Sequence, residues 1–230
     1  GQYGTDFLVP GMAVEIVDNH TLEAYARRIV AKVERFNKEY SAVTFTEPLP
    51  ENIRPGHLIA ADEPGPDVHI SGCRMSGNRA RGLLIGSRGR VIIENNYFHI
   101  AGASILFEGD GNFWFEQSGV RDVTIRNNIF ANGNYGSRGW GSACIAVGSG
   151  ISQRQTSRYH RNIQVDGNLF RVFDPRIVNL YCVDGFQFSA SNRIVRTSDY
   201  PATFDPKLHF VFDQCDHIEI PRQIEMAEQR

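Results

Sequence analysis

The sequence has few lysines: 3, against 21 arginines. It has no Lys/Arg block longer than a pair, and its formal net charge of −2 argues against an electrostatic nucleic-acid footprint. No apolar run approaches the roughly 20 residues that cross a bilayer as a helix, so neither nucleic acid nor membrane is an expected partner. Cysteine is sparse as well. Cys73, Cys144, Cys182 and Cys215 form no CxxC pair, which excludes the usual zinc and redox motifs and leaves small buried residues as the expectation. The seven histidines are scattered without close metal-ligand spacing. The chain begins at Gly1 with no signal-like stretch ahead of it, so its N-terminus does not reveal the compartment, and a chain processed or cut from a longer one is expected.

What is present is a branched, turn-rich composition. Ile and Val total 37 against 10 Leu, and Gly and Asn also total 37. Branched side chains favour pleated strands, while Gly and Asn tolerate the positive φ of tight bends.

A repeat organises most of the chain. Its copies are Val68-His-Ile70-Ser-Gly-Cys-Arg-Met75, Val91-Ile-Ile93-Glu-Asn-Asn-Tyr-Phe98, Val123-Thr-Ile125-Arg-Asn-Asn-Ile-Phe130 and Ile163-Gln-Val165-Asp-Gly-Asn-Leu-Phe170. Looser copies follow at Phe186-Gln-Phe188 and Ile218-Glu-Ile220. The first two branched residues alternate onto one strand face. Gly72, Asn95, Asn127 or Gly167 then marks a left-handed bend. Asn96, Asn128 and Asn168 come next, placed to stack with their amides bonded along the column. A second strand type alternates with the first at 82–85, 104–107, 143–147, 177–180 and 209–212. Successive copies lie 23, 32, 40, 23 and 32 residues apart, a minimum turn lengthened by inserted loops. The expected fold is all-β, a right-handed parallel β-helix over residues 67–230, with functional loops on one side.

Residues 1–66 form a separate module and linker. Pro10-Gly and Pro55-Gly turns lead into strands at Val14-Glu-Ile16 and Leu58-Ile59. Between them Leu22, Ala26, Ile29, Val33 and Phe36 fit a helical stripe slightly better than a hairpin.

Several segments together resemble one known family: Asn78-Arg-Ala-Arg-Gly-Leu-Leu-Ile85, Ala103-Ser-Ile-Leu-Phe-Glu-Gly-Asp110, Trp114-Phe-Glu116 and Val120 to Phe130. The likeness is to the β-helical glycoside hydrolases of family 110, inverting exo-α-1,3-galactosidases of bacteria, and covers the C-terminal portion of a typical member. It implies a small β-barrel-like module at the N-terminus, so residues 1–60 are expected as mostly strand against the local helix signal. It also implies secretion or a periplasmic location, an oligosaccharide or polysaccharide partner, and no cofactor or metal. Asp110 matches the family's acidic position best and Glu116 less closely. Glu108, in Glu108-Gly109-Asp110, replaces one member of the family's adjacent acidic pair.

The residues themselves single out the same loop. Inverting hydrolysis needs an acid at the leaving oxygen and a carboxylate activating water, roughly 6.5–9.5 Å apart. Glu108, Asp110 and Glu116 are the candidate catalytic residues, with solvated loop charge as the competing reading. Asn112, Trp114, Arg81, Arg88, Asp184 and Trp140 are the candidate substrate contacts. The aromatics Phe113 to Phe115 either face a sugar or form the loop's own core. Glu108 and Asp184 are expected to face one groove two rungs apart, and the loop 132–142, with Tyr135 and Trp140, to wall it. Arg81 and Arg88 could equally brace loop carboxylates. The alternative function is a non-catalytic carbohydrate-binding or scaffold β-helix, or a fragment of a larger enzyme. An uncovered first rung near Val68 would invite self-association or a preceding segment.

Overall fold

The computed structural model describes residues 5–63, 65–111, 113–115, 119–136, 143–148, 150–201 and 210–228. Among them there is no α-helix.

The N-terminal strands are β1 (Ala13–Val17), β2 (Ala24–Arg35), β3 (Ser41–Phe45) and β4 (Leu58–Ala61), in the order β3-β2-β1-β4 with antiparallel neighbours. Gly11 and Gly56, at φ +88° and +97°, make the expected Pro-Gly turns. The helical stripe of 22–36 is overridden by pairing. β2 bonds to β1 through Ala24–Ile29 and to β3 through Val30–Arg35, so one long strand serves two partners. Leu8, Val14 and Val30 form its small core.

From Val68 onward every strand is parallel to its neighbours, and the strands fall on three faces. The first holds β5 (Val68–Ser71), β8 (Arg90–Glu94), β11 (Asp122–Arg126), β14 (His160–Asp166), β17 (Val183–Phe188) and β20 (Asp216–Glu219). The second holds β6 (Arg74–Ser76), β9 (Tyr97–His99), β12 (Ile129–Ala131), β15 (Leu169–Val172), β18 (Arg193–Arg196) and β21 (Met226–Glu228). The third holds β7 (Leu83–Ile85), β10 (Ile105–Phe107), β13 (Ile145–Val147), β16 (Val178–Tyr181) and β19 (Phe210–Asp213). The chain visits the faces in the same order on every turn, a layout consistent with a parallel β-helix. The segment after each asparagine bend is thus a strand of its own rather than a continuation of the first.

Inward residues of all three faces make one apolar core. Phe98, Phe130 and Phe170 stack along it with centroids 5.2 and 4.7 Å apart. Between the first and second faces runs the asparagine column. Asn96, Asn128 and Asn168 each donate to the next side-chain oxygen at 3.0–3.1 Å, ending on Asn192. Each Oδ1 also accepts the backbone N–H of the rung before it, and each amide returns a bond to a first-face carbonyl. Gly72, Asn95, Asn127 and Gly167 supply the left-handed bend just before the column. Buried amides are tolerated because every polar atom has a partner.

Candidate active site

The site is built at the corner where the third face passes back to the first. Phe107, Val147, Leu180 and Phe212 are register partners, so the residues that follow them, Glu108, Gly148, Tyr181 and Asp213, succeed one another along the coil. Glu108 leans toward the next rung: a Cβ on Gly148 would stand 3.0 Å from its Oε1. Arg81 approaches from the preceding rung, with a terminal nitrogen 3.7 Å from Glu108 Oε2. The Arg81 Nε is buried without a hydrogen-bond partner among the described residues.

Two residues on, Asp110 folds its loop. Oδ1 accepts the Phe113 N–H at 3.1 Å and Oδ2 the Trp114 N–H at 2.6 Å. A carboxylate can accept at both oxygens, whereas a carboxylic acid would turn a hydroxyl on one donor. Gly111 lies beneath the N-terminal module, where any Cβ would stand 2.5 Å from Leu22 and 2.7 Å from Leu58. The rings that follow are not the loop's own core. Phe113, Trp114 and Phe115 are 60%, 51% and 44% exposed. Phe113 and Trp114 meet edge to face at 4.8 Å. Phe115 holds φ +56°, a costly conformation for a bulky residue.

Asn112, Glu116 and Trp140 are outside the described residues. Arg88 is buried and bidentate to Glu15 of β1 at 2.7 and 2.8 Å, which ties the coil to the N-terminal sheet rather than presenting a guanidinium to a glycan. Asp184 does not share a column with Glu108. Cys182 alone, at φ +57°, turns the corner after Tyr181, so Asp184 already belongs to β17 on the first face. There it accepts a 2.6 Å hydrogen bond from His217, which raises the His217 pKa. Of the loop 132–142, residues 132–136 leave the second face at the opposite edge of the third face from Glu108, and 137–142 lie outside the described residues. Tyr135 stacks on His99 and Tyr200 with centroids 5.0 and 6.0 Å apart.

Sequence reasoning missed Asp213, which sits in the Glu108 column with Arg154 3.5 Å away. Superposing the ends of the third-face strands would have found it. Among the described residues no three His, Cys, Asp or Glu side chains converge as a metal site would.

Comparison with known proteins places these features in context. Residues 1–59 match the family model described as GLAA-B beta-barrel domain II. The chain is 38% identical over 201 residues to alpha-1,3-galactosidase A of Shewanella woodyi, covering 87% of this chain and 32% of that protein. It is 33% identical over 219 residues to alpha-1,3-galactosidase B of Bacteroides thetaiotaomicron, covering 94% and 35%. Alpha-1,3-galactosidase A of Bacteroides fragilis is 31% identical over 216 residues, covering 93% and 35%. The chain therefore spans about a third of the length of the curated relatives it matches. Over most of its length it is a homologue of proteins named alpha-1,3-galactosidase, with a GLAA-B beta-barrel domain at its N-terminal end, as the resemblance to glycoside hydrolase family 110 implied.

Proposed function

We propose that the chain belongs to a glycoside hydrolase that removes terminal α-galactosyl or related sugars with inversion, using paired carboxylates and no metal. Residues 1–66 are the barrel-like module with its linker, and residues 67–230 a coil that winds right-handed. Asp110 and either Glu108 or Glu116 are the pair. One protonates the leaving oxygen and the other activates water on the opposite face of the ring. Arg81 orients Glu108, and Trp114 offers an apolar face to the C–H side of the sugar. The observation that carries this reading is the convergence at one corner of the Arg81–Glu108 pair, Asp110 and three solvent-exposed aromatics, in a chain whose relatives are named galactosidases.

The test is hydrolysis of α-1,3-linked galactosyl oligosaccharides and p-nitrophenyl galactosides, with the product anomer followed by NMR. Asp110→Asn and Glu108→Gln are expected to lower kcat by about 10²- to 10⁴-fold, the usual worth of positioned acid–base groups. Full turnover in Asp110→Asn would overturn the assignment, and full turnover in Glu108→Gln alone would make Glu116 the partner of Asp110.

One observation favours a second reading. Asp110 already receives two backbone N–H groups and Glu108 already has an arginine beside it, as in a loop that only binds sugar. Glycan binding by calorimetry with no turnover, lost in Trp114→Ala, would select it.

A further inference from the structure

A cavity of about 220 Å³ lies where the N-terminal sheet meets the coil, on the same variable corner as Glu108 but lined by other residues, and its charges do not balance. Three guanidinium groups, Arg88, Arg121 and Arg161, line it with two carboxylates, Glu15 and Glu23. Both carboxylates are engaged. Glu15 binds buried Arg88 through two hydrogen bonds, and Glu23 Oε1 accepts the Arg158 backbone N–H. Arg121 reaches Glu15 at only 4.0 Å. Arg161 has no carboxylate within 4.0 Å among the described residues, and its Nε is bonded to the Arg158 carbonyl. Asp184, its neighbour in the next rung, is taken by His217.

The register makes the crowding unavoidable. Val123 pairs with Ile163, and the Arg161 N–H of β14 bonds to the Val120 carbonyl at 2.7 Å, so Arg121, just ahead of β11, stands beside Arg161. Like charges so placed repel. Burial, then Arg88 and Arg161, hold the Arg121 pKa below the ordinary arginine value against the opposite pull of Glu15 and Asp62. We propose that Arg121 and Arg161 bind a small oxyanion, a sulfate or a carboxylate, at the mouth of this cavity. Paired guanidinium forks suit the planar or tetrahedral oxygens of such groups. Tyr159 and Leu22 supply an apolar wall against which a sugar ring bearing the anion fits.

The experiment is thermal unfolding titrated with sodium sulfate, galacturonate or neutral galactose, with chloride keeping ionic strength constant. Wild type is expected to show a melting temperature that rises and saturates with an anion but does not respond to galactose. Arg121→Gln and Arg161→Gln should each weaken that response about tenfold, while Arg193→Gln, which removes the same charge on β18, leaves it intact. Tighter binding of galacturonate assigns the site to acidic glycans, and tighter binding of sulfate to a free oxyanion. Equal shifts in all four proteins, no saturable shift, or an equal response to galactose would overturn the proposal. Matched urea midpoints without anion establish that the variants fold.

Discussion

Two corners of the coil contrast sharply. Between the first and second faces the chain turns at 72–73, 95–96, 127–128 and 167–168, each time with the same left-handed bend and, from the second copy on, the same asparagine. Between the third and first faces it turns at 86–89, 108–121, 148–159, Cys182 and 214–215, with no common length or composition. The asparagine corner bonds one rung to the next as far as Asn192 and holds two residues in its first four copies, lengthening only at 189–192 and 220–225. The other corner has no such column, so loops of any length hang from it, and the candidate carboxylates and exposed aromatics are there. On the proposed reading, stability and chemistry belong to different edges of one repeat.

The largest expected effect tests the variable corner. Asp110→Asn or Glu108→Gln should remove most activity at small cost to the urea midpoint: Asn keeps one of the two acceptors, and the N–H group that loses its partner is exposed to water. The reciprocal break is Asn128→Ala. Its carboxamide bonds to the Asn96 N–H and Nδ2, the Ile93 and Arg126 carbonyls and Asn168 Oδ1, all in a buried column. Leaving several of these groups unpaired should cost about 3 kcal/mol or more of unfolding free energy, at roughly 1–3 kcal/mol for each buried group. Asn192→Ala, at the column's end, should cost less. Equal losses at both would mean that the column adds nothing beyond its separate bonds.

The contrast also explains what the sequence made legible. The asparagine column and the first-face strands could be read because each side chain rests on a copy of itself, so spacing repeats in the chain as it does in space. Asn192 escaped because its rung reaches the corner through Ser189 and Ser191 rather than an adjacent Asn-Asn pair. At the variable corner, counting residues loses the register. Asp184 was expected opposite Glu108, but a single-residue turn at Cys182 carries it onto another face. The Arg88–Glu15 pair joins positions 73 residues apart, beyond any local pattern. The helical stripe of 22–36 misled because β2 changes partner midway, so its apolar residues serve both sides.

Where the two regimes meet, a third effect is expected. His160 opens β14 just after the inserted loop and is fully buried, with neither ring nitrogen in hydrogen-bond geometry among the described residues. Burial pushes its pKa down to about 3, against a lesser upward pull from the Gly148 backbone. The folded protein refuses a proton that the unfolded chain accepts below about 6.5, so stability should fall as pH drops from there toward 3 and be unaffected above it. The slope is about 1.4 kcal/mol per pH unit, or roughly 2 kcal/mol by pH 5. The difference between wild type and His160→Phe in urea midpoints at pH 7 and 5 isolates this group from His217, which titrates with the opposite sign. A difference that does not change with pH would show that the ring finds a partner or water.

The smallest effect on the fold is expected at Gly148, where the variable corner most resembles the regular one. A methyl group here meets the flexible end of Glu108 at 3.0 Å rather than backbone, so the carboxylate can swing aside. Gly148→Ala should therefore change stability by less than about 1 kcal/mol, because the displaced contact is a half-exposed side chain. The same displacement moves Glu108 relative to Arg81, so kcat should fall while the urea midpoint holds. A normal kcat would remove Glu108 from the chemistry and leave Asp110 and Glu116 as the pair. A large loss of stability would mean that Glu108 belongs to the packing of the coil, and the division between the two corners would fail at its most informative residue.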